Sequence, residues 1–183
     1  MKFDPIEIKD KSGRTVILRS AEVSDGDAML DYLKTTATET PFLSREPEEI
    51  ALTSEQQASF IQSRINSPNE LMLIALIDGK HIGNCALARL GAVKRYRHRC
   101  SVSIALYKEY CGCGIGEAMM KTVLSVAKEL GYEQAELEVI ADNTPAINLY
   151  KKLGFTEYGR FPDNMKYKDG SYSDAIWMMK KLK

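Results

Sequence analysis

Cys111-Gly112-Cys113-Gly114-Ile115-Gly116 is followed at once by a helical run from Glu117 to Leu130. Glycine at alternate positions leaves the backbone free to turn and lets a ligand come close to its N–H groups. The helix behind the glycines adds unpaired amides and the positive end of its dipole. That combination cradles an anion, and phosphate is the usual guest. Immediately upstream, Ser101-Val102-Ser103-Ile104-Ala105-Leu106 alternates small or polar residues with branched apolar ones, the pattern of a half-buried strand. The unit is therefore strand, glycine loop, helix. A tight corner without a ligand accounts for the same glycines equally well.

Two nucleotide loops are excluded by residue type. A P-loop ends in Gly-Lys-Ser/Thr, whereas Gly116 is followed by Glu117 and Ala118. The dinucleotide fingerprint needs a glycine three positions after the second, and counting from Gly114 reaches Glu117.

The chain has 183 residues, enough for one domain with a substantial core, and 1–183 is read as a single domain. Lys plus Arg equals Asp plus Glu at 25 each, so no global field favours nucleic acid or a membrane surface. No apolar run approaches the length of a membrane span. Met1-Lys2-Phe3-Asp4-Pro5 has no signal-peptide core, and the four cysteines read as reduced thiols, which predicts a cytoplasmic protein.

Taken in order, Ile6–Ile8 and Val16–Leu18 read as an opening hairpin around Lys11-Ser12-Gly13-Arg14. A helix is expected from Ser24, with Met29, Leu30 and Leu33 on its apolar side. Thr35 to Glu49 reads as an irregular connection. Thr53 and Gln56 form a capping-box signature for a second helix through about Asn66, with Phe60, Ile61 and Arg64 or Ile65 on its buried side. Leu71–Ile77 and His81–Arg89 are strands joined by the Asp78-Gly79 turn. Beyond the glycine loop and its helix, Gly131 is a stop, Ala135–Ile140 a strand, and Asn143-Thr144-Pro145 the start of a helix ending at Gly154. Two last strands meet at Asp169-Gly170. This order predicts an α/β fold, a mixed and mostly antiparallel central sheet with helices on both faces.

A second constellation is Leu137-Glu138-Val139-Ile140-Ala141-Asp142-Asn143-Thr144-Pro145-Ala146-Ile147-Asn148-Leu149-Tyr150-Lys151-Lys152-Leu153-Gly154-Phe155. With the glycine loop it resembles the GNAT superfamily of acetyl-CoA-dependent N-acetyltransferases. The likeness rests on Gly-x-Gly after a strand and on Asn-x-x-Ala-x-x-Leu-Tyr-x-x-x-Gly-Phe, and covers residues 101 to 155. It implies that the strand before the loop splays from its neighbour, so that the backbone of Ile104, Ala105 and Leu106 pairs with the pantetheine arm. It implies that the amides of Gly112, Cys113, Gly114, Ile115, Gly116 and Glu117 hold the pyrophosphate. Asn143 would lie near the pantetheine end and Tyr150 near the thioester sulfur. Glu138 falls where some relatives carry a carboxylate that deprotonates the amine through water. The chain departs from the pattern at Cys111, where the loop usually opens with Gln or Arg.

The resemblance implies acetyl transfer to a primary amine by direct reaction in a ternary complex, with acetyl-CoA as co-substrate and a small-molecule amine as acceptor. A protein N-terminal or lysine acetyltransferase is the alternative within enzymes, and a non-catalytic acyl-CoA sensor the alternative outside them. No metal, nucleic acid or membrane partner is expected, and a homodimer is left open.

The residue types suit this chemistry. A lysine-like amine is only about one part in 2,500 neutral at pH 7, so a base such as Glu138 is useful. Glu136 and Glu138 share one strand face, and a solvated face explains them as well. Tyr150 stays protonated at neutral pH and suits a departing thiolate, or it simply packs on its helix. His98-x-Cys100 and Cys111-x-Cys113 are zinc ligands by type, but an extended strand keeps the pairs apart. Cys111 is a reactive thiol if it faces the positive end of the loop. Lys94 to Arg99 reads as a solvated basic turn. Glu39, Glu46, Glu48 and Glu49 read as a solvated acidic loop, or as an attraction for a cationic amine if they border the site.

Overall fold

The computed structural model describes residues 1–91 and 93–183. They form eight strands in the order β1-β2-β3-β4-β5-β6-β8-β7 and four α-helices. The strands are β1 Ile6–Lys9, β2 Thr15–Ser20, β3 Leu71–Ile77, β4 Lys80–Arg89, β5 Arg99–Leu106, β6 Gln134–Ile140, β7 Thr156–Lys166 and β8 Tyr172–Lys181. The helices are α1 Gly26–Glu39, α2 Ser54–Asn66, α3 Ile115–Glu129 and α4 Thr144–Lys152. The β1–β2, β2–β3, β3–β4, β6–β8 and β7–β8 ladders are antiparallel, and β5–β6 is parallel. This is the mixed, mostly antiparallel sheet that the sequence predicts.

The residues fall into two compact units, Met1–Ala88 with Ser103–Val123, and Arg89–Val102 with Leu124–Lys183.

In the first unit, β1 and β2 make the expected hairpin, and buried Val16 and Leu18 alternate with half-buried neighbours. Asp10 pins the turn: its Oδ1 accepts from the backbone N–H of Ser12 and Arg14, and its Oδ2 from Arg14 Nε at 2.7 Å. A short 3-10 turn at Val23–Asp25 leads into α1, which runs further than the sequence suggests. Thr35 to Glu39 are helical, and Thr36 and Thr38 turn their hydroxyls back onto the carbonyls of Tyr32 and Lys34. The capping box on α2 forms as expected, with Thr53 Oγ1 accepting from Gln56 N–H and Gln56 Oε1 from Thr53 N–H. Its buried residues, however, are Gln57 and Ile61. Phe60 is 43% exposed, and the Arg64 guanidinium lies 4.9 Å from its ring centre. Ala21, Met29, Ile61, Met72 and Ile74 pack as one cluster. Gly83 on β4 is required by space. A Cβ there would stand 2.8 Å from Leu106 Cδ2 and 3.2 Å from the Ala105 carbonyl oxygen.

In the second unit, β6 presents Ala135, Leu137, Val139 and Ile140 to the interior. Asn143 caps α4, with Pro145 in its first turn. β7 and β8 pair with register shifts at Glu157/Gly159 and Phe161/Met165.

Candidate active site

The glycine loop belongs to the first unit. Gly112 has φ +78° and Gly114 φ +87°, and the residue between them is not left-handed. Alternating hands along three residues turn successive N–H groups to one side, forming a concave nest for an anion. Among the described residues, the N–H groups of Gly112, Cys113, Gly114, Ile115 and Gly116 donate to no protein acceptor. The loop's carbonyls are differently placed. Those of Gly112 and Cys113 accept from Lys11 Nζ at 2.9 Å and from Lys11 N–H at 3.0 Å. The side chain of Ile115 is fully buried, and the Glu117 carboxylate pairs with Lys121 at 2.8 Å. What this loop offers a ligand is therefore its backbone. Partial desolvation, with the Glu39 carboxylate nearby, pushes the Cys111 thiol above its usual range. That corrects the expectation of a reactive thiol there.

The β5–β6 ladder holds Arg99↔Gln134, Cys100↔Ala135 and Ser101↔Glu136, and Ile104, Ala105 and Leu106 lie beyond its last pair. The Ala105 carbonyl accepts from the buried Tyr32 hydroxyl at 2.8 Å. Tyr32 was not singled out in the sequence. It follows Met29 by three residues, on the same face of α1, where a buried phenol must find an acceptor. Burial raises its pKa, keeping it a donor. Its ring meets His81 edge-on at 4.7 Å and Tyr107 at 5.4 Å. Among the described residues neither ring nitrogen of buried His81 has a hydrogen-bond partner, and desolvation lowers its pKa.

Glu138, Asn143 and Tyr150 belong to the second unit. Glu138 is exposed, and its two oxygens are held from β8 and β7. Trp177 Nε1 donates to Oε2 at 2.8 Å, and Asn164 Nδ2 to Oε1 at 3.4 Å. Glu136, two residues earlier, is not on a solvated face. It is buried and accepts from Arg99 Nη2 at 2.6 Å, from Gln134 Nε2 at 2.7 Å and from the Tyr158 hydroxyl. The Arg99 hydrogen bond outweighs burial and lowers the Glu136 pKa. Tyr158 and Phe161 flank the Trp177 indole at 6.3 and 6.2 Å. Gly159 makes room for it, since a Cβ there would meet Trp177 Cε3 at 3.0 Å. This aromatic strip was missed in the sequence because its members are brought together by the β7–β8 register.

The Asn143 side-chain oxygen accepts from Ala146 N–H at 3.3 Å as the cap of α4, which leaves its amide hydrogens as the part available to a ligand. Tyr150 is 6% exposed, with its ring centre 5.9 Å from that of Phe155.

Several members of the charged runs have structural partners. Arg99 of the basic turn serves Glu136, with Tyr96 5.5 Å away. Glu39 accepts from Lys108 N–H at 2.8 Å, and Glu46 with Glu49 caps a 3-10 turn. Among the described residues no three His, Cys, Asp or Glu side chains are grouped to hold a metal ion, and no helix is long and apolar enough to cross a membrane.

Residues 31–155 match the family model for the acetyltransferase (GNAT) family. The chain is 28% identical over 157 residues to an N-alpha-acetyltransferase of Sulfurisphaera tokodaii, covering 80% of this chain and 84% of the relative. It is 31% identical over 114 residues to the L-amino acid N-acetyltransferase AaaT of Escherichia coli, covering 61% and 68%. A GNAT-family acetyltransferase from Streptococcus pneumoniae superposes with a TM-score of 0.86 at 28% identity, over 91% of this chain and 99% of the other. A putative acetyltransferase from Salmonella typhimurium, solved with its cofactor acetyl-CoA, superposes with a TM-score of 0.81 at 17% identity, over 92% and 94%.

Proposed function

Because the chain belongs to the acetyltransferase (GNAT) family, we propose that it moves an acetyl group from acetyl-CoA to the primary amine of a small molecule, by direct transfer in a ternary complex, with 1–183 acting as one transferase domain. The observation that carries this reading is the run of five loop N–H groups, Gly112 to Gly116, without protein acceptors. A diphosphate needs such donors, and a mere corner would use or solvate them without a nest.

When bound, acetyl-CoA supplies a thioester whose carbonyl carbon accepts the amine while the thiolate departs. The loop amides hold the diphosphate. The backbone of Ile104, Ala105 and Leu106 aligns the pantetheine arm, with the amide hydrogens of Asn143 at its far end. Glu138 takes a proton from the acceptor ammonium through water, which yields the neutral amine that attacks. Tyr150 gives its phenolic proton to the departing sulfur and regains one as the new amide nitrogen sheds its extra proton. The indole of Trp177 supports the Glu138 role by fixing one carboxylate oxygen, leaving the group aimed while it works.

Likeness to an L-amino acid N-acetyltransferase supports a small acceptor. Likeness to an N-alpha-acetyltransferase supports a second reading, in which the amine is a protein N-terminus. The deciding experiment incubates the protein with acetyl-CoA and free amino acids, polyamines, aminoglycosides or peptides, and detects released thiol. Release with free amines supports the proposal, and release with peptides alone selects the second reading. Tight CoA binding without turnover on any amine would make the chain a sensor.

A further inference from the structure

The family pattern opens its loop with a Gln or Arg side chain, and this chain has Cys111 there. The β1–β2 turn holds this loop. Lys11, in the β1–β2 turn, engages two consecutive peptide planes, with its Nζ on the Gly112 carbonyl at 2.9 Å and its backbone N–H on the Cys113 carbonyl at 3.0 Å. Among the described residues no peptide is cis, and in a trans peptide the N–H points opposite to the C=O. Each carbonyl drawn toward Lys11 therefore turns the following N–H away from it, Cys113 N–H in the first plane and Gly114 N–H in the second. These are two of the amides with no protein acceptor. The ammonium on the Gly112 carbonyl also polarises that peptide, making the Cys113 N–H a better donor.

The turn is built to hold this position. The Asp10 side chain is fully covered and receives the hydrogen bonds of Ser12 and Arg14. Burial opposes its ionisation, but those hydrogen bonds prevail and hold its pKa at about 2. Arg14 reaches on to Cys113, with Nη2 3.8 Å from Sγ. The stem of Lys11 runs beneath Gly114, its Cγ 3.5 Å from where a Cβ would stand.

We propose that Lys11 is a positioning residue for the cofactor diphosphate: it holds the Gly112 and Cys113 carbonyls back so that the next two N–H groups face the anion. This rests on the acetyl-CoA reading given above.

The test compares acetyl-CoA with acetyl-pantetheine, which carries the same thioester and no diphosphate, for the wild type, Lys11→Met and Lys11→Arg. Lys11→Met should raise KM for acetyl-CoA about ten-fold, the order expected on losing a charge-assisted contact, with kcat nearly unchanged. Its kcat/KM for acetyl-pantetheine should equal that of the wild type, and Lys11→Arg should recover most of the acetyl-CoA affinity. An equal loss for both donors would reduce Lys11 to a general structural contact, and unchanged KM for acetyl-CoA would overturn the proposal. Titration of CoA into the wild type and Lys11→Met separates the two readings. If the wild type itself does not bind CoA, the acetyl-CoA reading has failed. If both proteins bind it equally, only the role of Lys11 has failed.

Discussion

Trp177 donates its indole N–H to Glu138 Oε2 at 2.8 Å, across a directly opposed pair of the β6–β8 ladder. Indole nitrogen is donor-only, so it can hold a carboxylate but cannot compete with it for a proton. The ring is itself fixed, lying over Gly159 between Tyr158 and Phe161. An exposed glutamate on a strand would otherwise sample several rotamers. Here register and an aromatic strip choose its orientation.

Trp177→Phe keeps a ring over Gly159 and removes the N–H. Turnover should fall several-fold, less than the roughly 10²- to 10⁴-fold loss expected on removing a general base outright. CoA affinity should not change. Steady-state kinetics alongside CoA titration reads both, and undiminished turnover would disconnect the indole from the chemistry.

Tyr150→Phe preserves packing against Phe155 and deletes the hydroxyl. Turnover should drop by about 10²- to 10⁴-fold with little change in CoA affinity. Glu138→Gln should also spare CoA affinity, but its defect should shrink as pH approaches the acceptor's own pKa, where neutral amine is plentiful. A pH-independent defect in Glu138→Gln would demote it to a structural role, and full activity in Tyr150→Phe would remove the tyrosine.

Gly114→Ala tests the nest. The added Cβ would touch Lys11 Cγ at an ordinary 3.5 Å, so the cost comes from φ +87°, about 1–2 kcal/mol for an L residue. Relief of that strain would flatten the nest. The melting temperature should fall by a few degrees, and the further rise on adding CoA, about 2.7 kcal/mol at 100 times Kd for the wild type, should be largely lost. A folded variant with the full CoA-induced rise would mean the loop is only a corner.

His81 gives a pH signature. Desolvation lowers its pKa below the ordinary 6.5, so the unfolded chain binds the proton more readily than the folded one. The stability contribution is fully present above pH 6.5 and declines as pH falls below that value toward the folded pKa. Thermal melts from pH 8 to 5 should show this decline, and it should be smaller in His81→Gln. An NMR titration of the wild-type ring with a midpoint at or above 6.5 would contradict it.

The strand–loop–helix unit, the three hairpin turns and the α2 capping box were legible because local chemistry alone specifies them. Alternate glycines, Asp78-Gly79 and Thr53 with Gln56 act over a few residues. What was illegible came from distant pairing. Thr35–Glu39 are helical against threonine propensity, with Thr36 buried and Glu39 accepting from the N–H of Lys108, sixty-nine residues away. Burial of Glu136 requires Arg99, thirty-seven residues away. Lys11 read as a hairpin-turn residue, and nothing local tied it to a loop 101 residues later. The exposure of Phe60 shows the converse, an apolar residue at helical spacing that a neighbouring guanidinium covers instead of the core.

Gly83 has a consequence for how this family member can diverge. Its dihedrals are unremarkable for any residue, yet a single added methyl would push into Leu106 and the Ala105 carbonyl, on the strand proposed to align the cofactor arm. In a saturation library scored by activity, replacements at position 83 should lower activity increasingly with side-chain size, although the residue touches no substrate. Descent must therefore keep a small neighbour at the back of this strand.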